Sequence, residues 1–169
     1  MPDKETIERA REDEREGKSP STQAGEFVRQ EMHHIREGKH GARSTKQAIA
    51  IALSEARRAG VDVSPPKKGR SSEETRTKAE HDLSKGRASK KSKPSSTRSR
   101  ATMKALKREG HTAASKQSLS RQAHKAASAR SASSRHEAAM KAVKTKGAEG
   151  LRKAAKKAAR TRSRQRPAA

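Results

Sequence analysis

The sequence predicts a mainly α-helical chain: a small N-terminal helical hairpin followed by a largely disordered Lys/Arg/Ala-rich arm with transient helices. Three observations predict this. Ile, Leu, Val and Phe number only 14 of 169 residues, and 29 of the 47 hydrophobic residues are alanine. Nine of those 14 lie at or before Val63. The charge leans the other way: residues 1–66 hold 12 Lys/Arg against 12 Asp/Glu, whereas residues 67–169 hold 31 against 7 and carry the whole net charge of +24. So few large apolar residues at so high a charge leave too little surface to bury against the entropy of ordering the chain. On this composition a single well-packed 169-residue globule is ruled out. With no cysteine, so are a disulfide framework, a thiolate metal site and a cysteine nucleophile.

The elements follow in order. Residues 1–18 hold a charged helix ended by Gly17, with Glu5–Arg9 and Arg9–Asp13 as i,i+4 pairs. Only Ile7 and Ala10 are apolar in it, so weak docking is expected. Residues 19–63 form the hairpin module. Ser19-Pro20 is a helix start, and Ala24, Phe27, Val28, Met32 and Ile35 fall within an arc of roughly 140°, the width of a core-facing stripe. Gly38 and Gly41 end that helix. Ser44 to Gln47 matches a capping box, and the second helix runs to Ala59 with Gly60 as its left-handed stop. Ala48, Ile49, Ala52, Leu53, Ala56 and Ala59 share one face; Ile51 points away beside Arg58. A hairpin this small needs a partner, a second copy or the rest of the chain to complete its core.

Residues 64–100 are rich in Ser, Pro, Lys and Arg and read as linker. One short helix is expected in it, capped by Ser71 to Glu74 and closed by Gly86. Residues 101–169 form a basic Ala-rich helical arm with a weak 37-residue repeat: Met103–Gly110 recurs as Met140–Gly147, identical at five of eight positions. Each copy reads as a short helix closed by glycine, the second preceded by a capping box at Ser134 and Glu137. The last helix, Leu151 to about Arg160, sets Leu151, Ala154, Ala155 and Ala158 opposite Lys153, Lys156, Lys157 and Arg160. Like charges repel along it, so these helices are expected to form fully only on a polyanion.

The stretch Lys46–Gly60, KQAIAIALSEARRAG, preceded by Glu31–Lys39, EMHHIREGK, resembles a family of small basic bacterial proteins of unassigned function with a KQAIAIALSEA signature. The resemblance covers roughly residues 1–70. Its members with Lys/Arg/Ala-rich tails are often labelled DNA-binding, and the arm is similar in composition to the tails of linker-histone-like nucleoid proteins. The resemblance implies DNA binding and carries over no catalytic residue.

Thirty-one cations against seven anions make an electrostatic footprint for nucleic acid. The residues expected to meet phosphate are Lys67, Lys68, Arg70, Lys104, Lys107, Arg108, Lys153, Lys156, Lys157, Arg160, Arg162, Arg164 and Arg166. Nothing matches a recognition helix or a zinc finger. Base stacking needs aromatics, and Phe27 is the only one. Non-specific binding to duplex DNA is therefore favoured over RNA; association with RNA or the ribosome, and a stress-protective disordered role without nucleic acid, are the rivals.

A second candidate is the link Arg43-Ser44-Thr45-Lys46, which ends at a helix N-terminus and has the groups to contact a phosphate. Plain capping is its alternative. Phe27, Val28, Ile35 and Ile51 are candidates for self-association, giving a homodimer through the hairpin. His33, His34 and His40 raise the question of a metal site, but adjacent histidines on a helix lie about 100° apart, so His33 and His34 cannot easily share one ion; no metal site and no cofactor are expected. Nor is an enzyme or a small-molecule substrate, because nothing positions acids and bases around a pocket. The opening residues are not a secretory signal, and the longest apolar run, Ala48–Leu53, is far short of the ~20 residues that span a bilayer. A cytoplasmic, nucleoid-associated protein without membrane contact is expected.

Overall fold

The structure, a computed structural model, describes residues 2–88 and 95–165. Helix α1 spans Lys4–Arg15, α2 Pro20–Arg36, α3 Thr45–Ala59, α4 Glu73–Arg87, α5 Ser96–Leu106, α6 Lys116–Ser128 and α7 Ala132–Gln165, with a 3-10 turn at Thr112–Ala114. No strand is found among the described residues. None of the helices there is long and apolar enough to cross a membrane. The chain divides within α6 into two units, residues 1–122 and 123–169.

Local chemistry sets most helix ends. Pro20 occupies the first turn of α2 behind Ser19. At α3 the Ser44 hydroxyl accepts the Gln47 N–H at 3.2 Å, and Gln47 Oε1 reaches back to the Arg43 N–H at 2.8 Å. Gly60 adopts φ +109° and lets the Val61 N–H reach the Ala56 carbonyl at 3.0 Å, a closure that needs the left-handed conformation. Three expected ends fall elsewhere. Ser72, not Ser71, caps α4 and accepts the Thr75 N–H. Gly86 lies inside α4 rather than closing it. Ser131, not Ser134, caps α7. Of the two repeat copies, the first stops at Leu106, ahead of Gly110, while the second is broken at Gly147, where φ is +63°.

In the unit of residues 1–122, α2 packs on α1 and α3, α4 packs on α3, and the 3-10 turn sits against α2 and α3. One apolar cluster joins Ala10, Ala24, Phe27, Ala52, Ala56 and Val61; the other joins Met32, Ile35, Ala42, Ala48, Ala113 and Ala114. Ala48, Ala52 and Ala56 repeat every four residues on one face of α3 and are fully buried. Their methyl groups let the neighbouring backbone come close, so a core closes with few large side chains.

Helix α1 is docked more firmly than its apolar content suggests. Thr6 and Ala10 are buried, Ile7 packs beside them, and Arg9 Nε reaches Glu26 on α2 at 3.2 Å. Small residues do this work, so a count of large apolar residues misses it. Nor is the expected 64–100 linker free of tertiary contacts: α4 buries Ala79 and Leu83, and its Asp82 accepts from the Ser54 hydroxyl and pairs with Arg58. Arg57 pins the chain leaving α3, its Nε donating to the Val63 carbonyl at 2.9 Å and Nη2 to the Ser64 carbonyl at 3.3 Å. Burial lowers the pKa of this guanidinium, and the charge of Asp82 opposes that.

The arm departs most from expectation. Instead of a largely disordered chain, residues 95–165 are mostly helical. Ala, Lys and Arg are among the strongest helix formers, and that propensity outweighs the repulsion between like charges here. The start of the arm is also built into the first unit. Gly41 and Ala42 donate to the carbonyls of Leu106 and Gly110 at 2.9 and 3.0 Å. Arg36 Nε bonds the Ala114 carbonyl, and the Thr45 hydroxyl bonds that of Ala113 at 2.7 Å. The hairpin core is thus completed by the rest of the chain.

Candidate nucleic-acid interface

Cations on the two parts of the chain have different surroundings. On α1 to α4 many are paired: Arg9 with Glu5 and Glu26, Lys18 with Asp13 and Glu16, Arg58 with Asp82, Arg76 with Glu73 and Glu80, Lys78 with Glu74. These pairs shift titrations as expected. Arg76 and Lys78 hold the Glu73 and Glu74 carboxyls below their ordinary value, and Lys39 does the same to Glu37.

On α7 the opposing charge is almost gone. Eleven Lys/Arg stand against Glu137 and Glu149 alone. Lys153 pairs with Glu149 at 2.6 Å, and no other ion pair on α7 is found among the described residues. Lys153, Lys156, Lys157, Arg160, Arg162 and Arg164 are all exposed. At 100° per residue, Arg152, Lys153, Lys156, Lys157, Arg160 and Arg164 fall within about 140° of arc and extend over roughly 18 Å of helix axis. Leu151 and the alanines fill the opposite side. Arg162 falls outside this stripe. The stripe is a row of positive charges in which only Lys153 has an acidic partner among the described residues.

The remaining predicted cations are exposed but placed apart in sequence. Lys104, Lys107 and Arg108 join Arg100 around the exposed Met103 in a shallow depression on and just after α5. Lys67, Lys68 and Arg70 lie in a turn before α4, closed by a hydrogen bond from the Arg70 N–H to the Lys67 carbonyl. Arg166 lies outside the described residues.

At the α3 N-terminus, the cap engages Ser44, Gln47 and the Arg43 N–H, and Thr45 is buried with its hydroxyl bonded to Ala113. Arg43 and Lys46 remain exposed there. Of the residues considered for self-association, Phe27 and Ile35 are 1% and 0% exposed and belong to the core clusters. Val28 and Ile51 are half-buried.

One constellation was not anticipated. His33 stands on the solvent side, as its helical position requires, but His34 and His40 come together with Glu31, whose role the sequence did not suggest. The available signal was the i,i+3 spacing of Glu31 and His34, which puts both on one helix face. His40 arrives there because the chain turns at Gly38, where φ is +75°. The rings of His34 and His40 meet edge to face with centroids 6.0 Å apart.

A family of unknown function, DUF6496, matches residues 17–68, which hold α2, α3 and the link between them. No curated protein and no solved structure matches the chain.

Proposed function

We propose that the chain binds duplex DNA non-specifically, with the cationic face of α7 as its main contact surface and α5 contributing a second group of cations. The observation that carries this reading is the stripe from Arg152 to Arg164, whose six exposed cations face a single acidic partner, Glu149 on Lys153. Lys and Arg side chains on it would replace counterions along the phosphate backbone, and the released counterions supply the free energy. An α-helix with its side chains is about as wide as the major groove of B-DNA, roughly 12 Å, whereas the deep major groove of an RNA helix is too narrow to admit one. That favours duplex DNA as the partner. Contacts to phosphate carry no sequence information, so binding indifferent to sequence follows. A nucleoid-associated, DNA-coating role is the corresponding cellular reading, in line with what the KQAIAIALSEA resemblance implies.

The test is competition on the full chain: a labelled DNA duplex displaced by unlabelled duplexes of unrelated sequence and by structured RNA, at equal phosphate. Displacement by any DNA duplex, with RNA weaker, is expected. Preferential displacement by RNA would transfer the proposal to RNA. Binding too weak to measure at about 50 mM salt would remove it.

A further inference from the structure

We propose that Glu31, His34 and His40 form a binding site for one divalent transition-metal ion of the zinc class. The three residues each offer a ligand atom within 4.8 Å of the others. Glu31 and His40 are well buried, their side chains 3% and 7% exposed. Glu31 Oε1 has no hydrogen-bond partner, an expensive state for a carboxylate removed from water.

The geometry of His40 sharpens the assignment. Its Nδ1 lies 3.2 Å from the Gly41 carbonyl, which can only accept, so Nδ1 carries the proton. In the neutral ring Nε2 is then a bare lone pair. It faces Glu31 Oε2 at 3.6 Å, beyond hydrogen-bond distance. A proton or a metal ion between them relieves the clash of the two lone pairs, and a gap too long for a hydrogen bond has room for the metal. A tetrahedral ion with bonds of ~2.1 Å sets its ligands roughly 3.4 Å apart, so this pair already has the spacing of two corners of a zinc site. An Nδ1–H bonded to a backbone carbonyl is also the usual way a ligating imidazole is held in its tautomer. His34 completes the set from the same face of α2, and Asp3 adds a carboxylate at the rim, its Oδ2 3.2 Å from His34 Nε2.

Two imidazoles and a carboxylate suit zinc and its neighbours; magnesium and calcium prefer oxygen alone. The site lies where the chain turns from α2 into the Gly41–Ala42 segment that pairs with Leu106 and Gly110. A bound ion would tie that corner together.

The test uses the full chain, freed of metal, titrated with Zn²⁺ by calorimetry and with Co²⁺ by visible absorption. One equivalent per chain, a Co²⁺ band of tetrahedral intensity and a raised melting temperature are expected. Glu31→Gln and His40→Gln should each weaken binding at least about tenfold, while His33→Gln, beside the site but facing solvent, leaves it unchanged. Absence of stoichiometric binding overturns the proposal, as does binding that survives Glu31→Gln and His40→Gln or falls equally with His33→Gln. If a variant loses its helical circular dichroism, imidazole NMR of the unmutated chain decides. Zinc should shift His34 and His40 and spare His33; shifts spread evenly over all seven histidines overturn the assignment.

Discussion

Gly86 on α4 lies against the Arg57 carbonyl on α3 so closely that a Cβ at Gly86 would stand 1.9 Å from that oxygen. Gly41 has the same relation to Glu109, whose carbonyl oxygen would be 2.0 Å from an added Cβ. In both cases the obstacle is backbone, which cannot rotate aside. Two segments distant in sequence thus depend on glycine to approach.

Gly86→Ala and Gly41→Ala should therefore each destabilise the first unit by about 1–3 kcal/mol, the usual cost of overpacking. Gly25 is the control. It is exposed within α2 with nothing within 4 Å of its Cβ position. Gly25→Ala should stabilise by roughly 0.5–1 kcal/mol through helix propensity. Urea unfolding of the three variants checks the ranking.

Phe27→Ala and Ile35→Ala should cost about 3–5 and 2–5 kcal/mol respectively, because each empties a fully buried position. Both residues are spent inside one chain, so melting should not depend on protein concentration. A melting temperature that rises across a hundredfold dilution series, from dilute to concentrated, would instead assign them to an interface.

In the presence of a chelator, the stability of the metal-free protein should depend on Glu31. Burial, reinforced by the charge of Glu55, pushes its carboxyl from 4.5 up to about 7. The folded state then holds a proton that the unfolded state releases between those values, so stability falls as pH rises from about 4.5 to 7 and levels off above. Thermal melts at pH 5 and 7.5 should show this fall, and Glu31→Gln should reduce it. An equal fall in the variant would place the titrating group elsewhere.

Much of α2 and α3 was legible from sequence because the signals are local. The Phe27–Ile35 stripe, the Ser44–Gln47 cap and the Gly60 stop each depend on neighbours within four residues. The closure of the core was not legible. Thr45 meets Ala113 and Arg36 meets Ala114 across 68 and 78 residues, through backbone carbonyls that any residue supplies. The alanines of α3 and the 3-10 turn look like helix filler in a composition count, yet Ala48, Ala52, Ala56 and Ala114 are fully buried. Counting only large apolar residues therefore understated what this chain packs. Among the candidate site residues, the cations of α7 were legible from charge alone. The Glu31–His40 contact required knowing where the turn at Gly38 sends the chain.

The truncation that best separates the arm follows from the fold. Cutting after residue 66 would remove α4, Ala113 and Ala114, all of which complete the first unit. A chain ending at Ser131 keeps them and removes α7. It should retain the cooperative melting of the full chain and lose most DNA affinity.

The most direct test keeps the chain whole. Duplex DNA affinity is measured from 50 to 200 mM salt for the parent and for a chain carrying Lys153→Glu, Lys156→Glu, Lys157→Glu, Arg160→Glu and Arg164→Glu, all at exposed positions. If the stripe neutralises about six phosphates, the parent's log–log slope is about −5 and its affinity falls roughly 10³-fold over that range. The reversed chain should bind far more weakly, with a shallower slope. Equal affinity and equal slope in the two chains, with unchanged circular dichroism, would contradict the central claim that α7 is the DNA-binding surface.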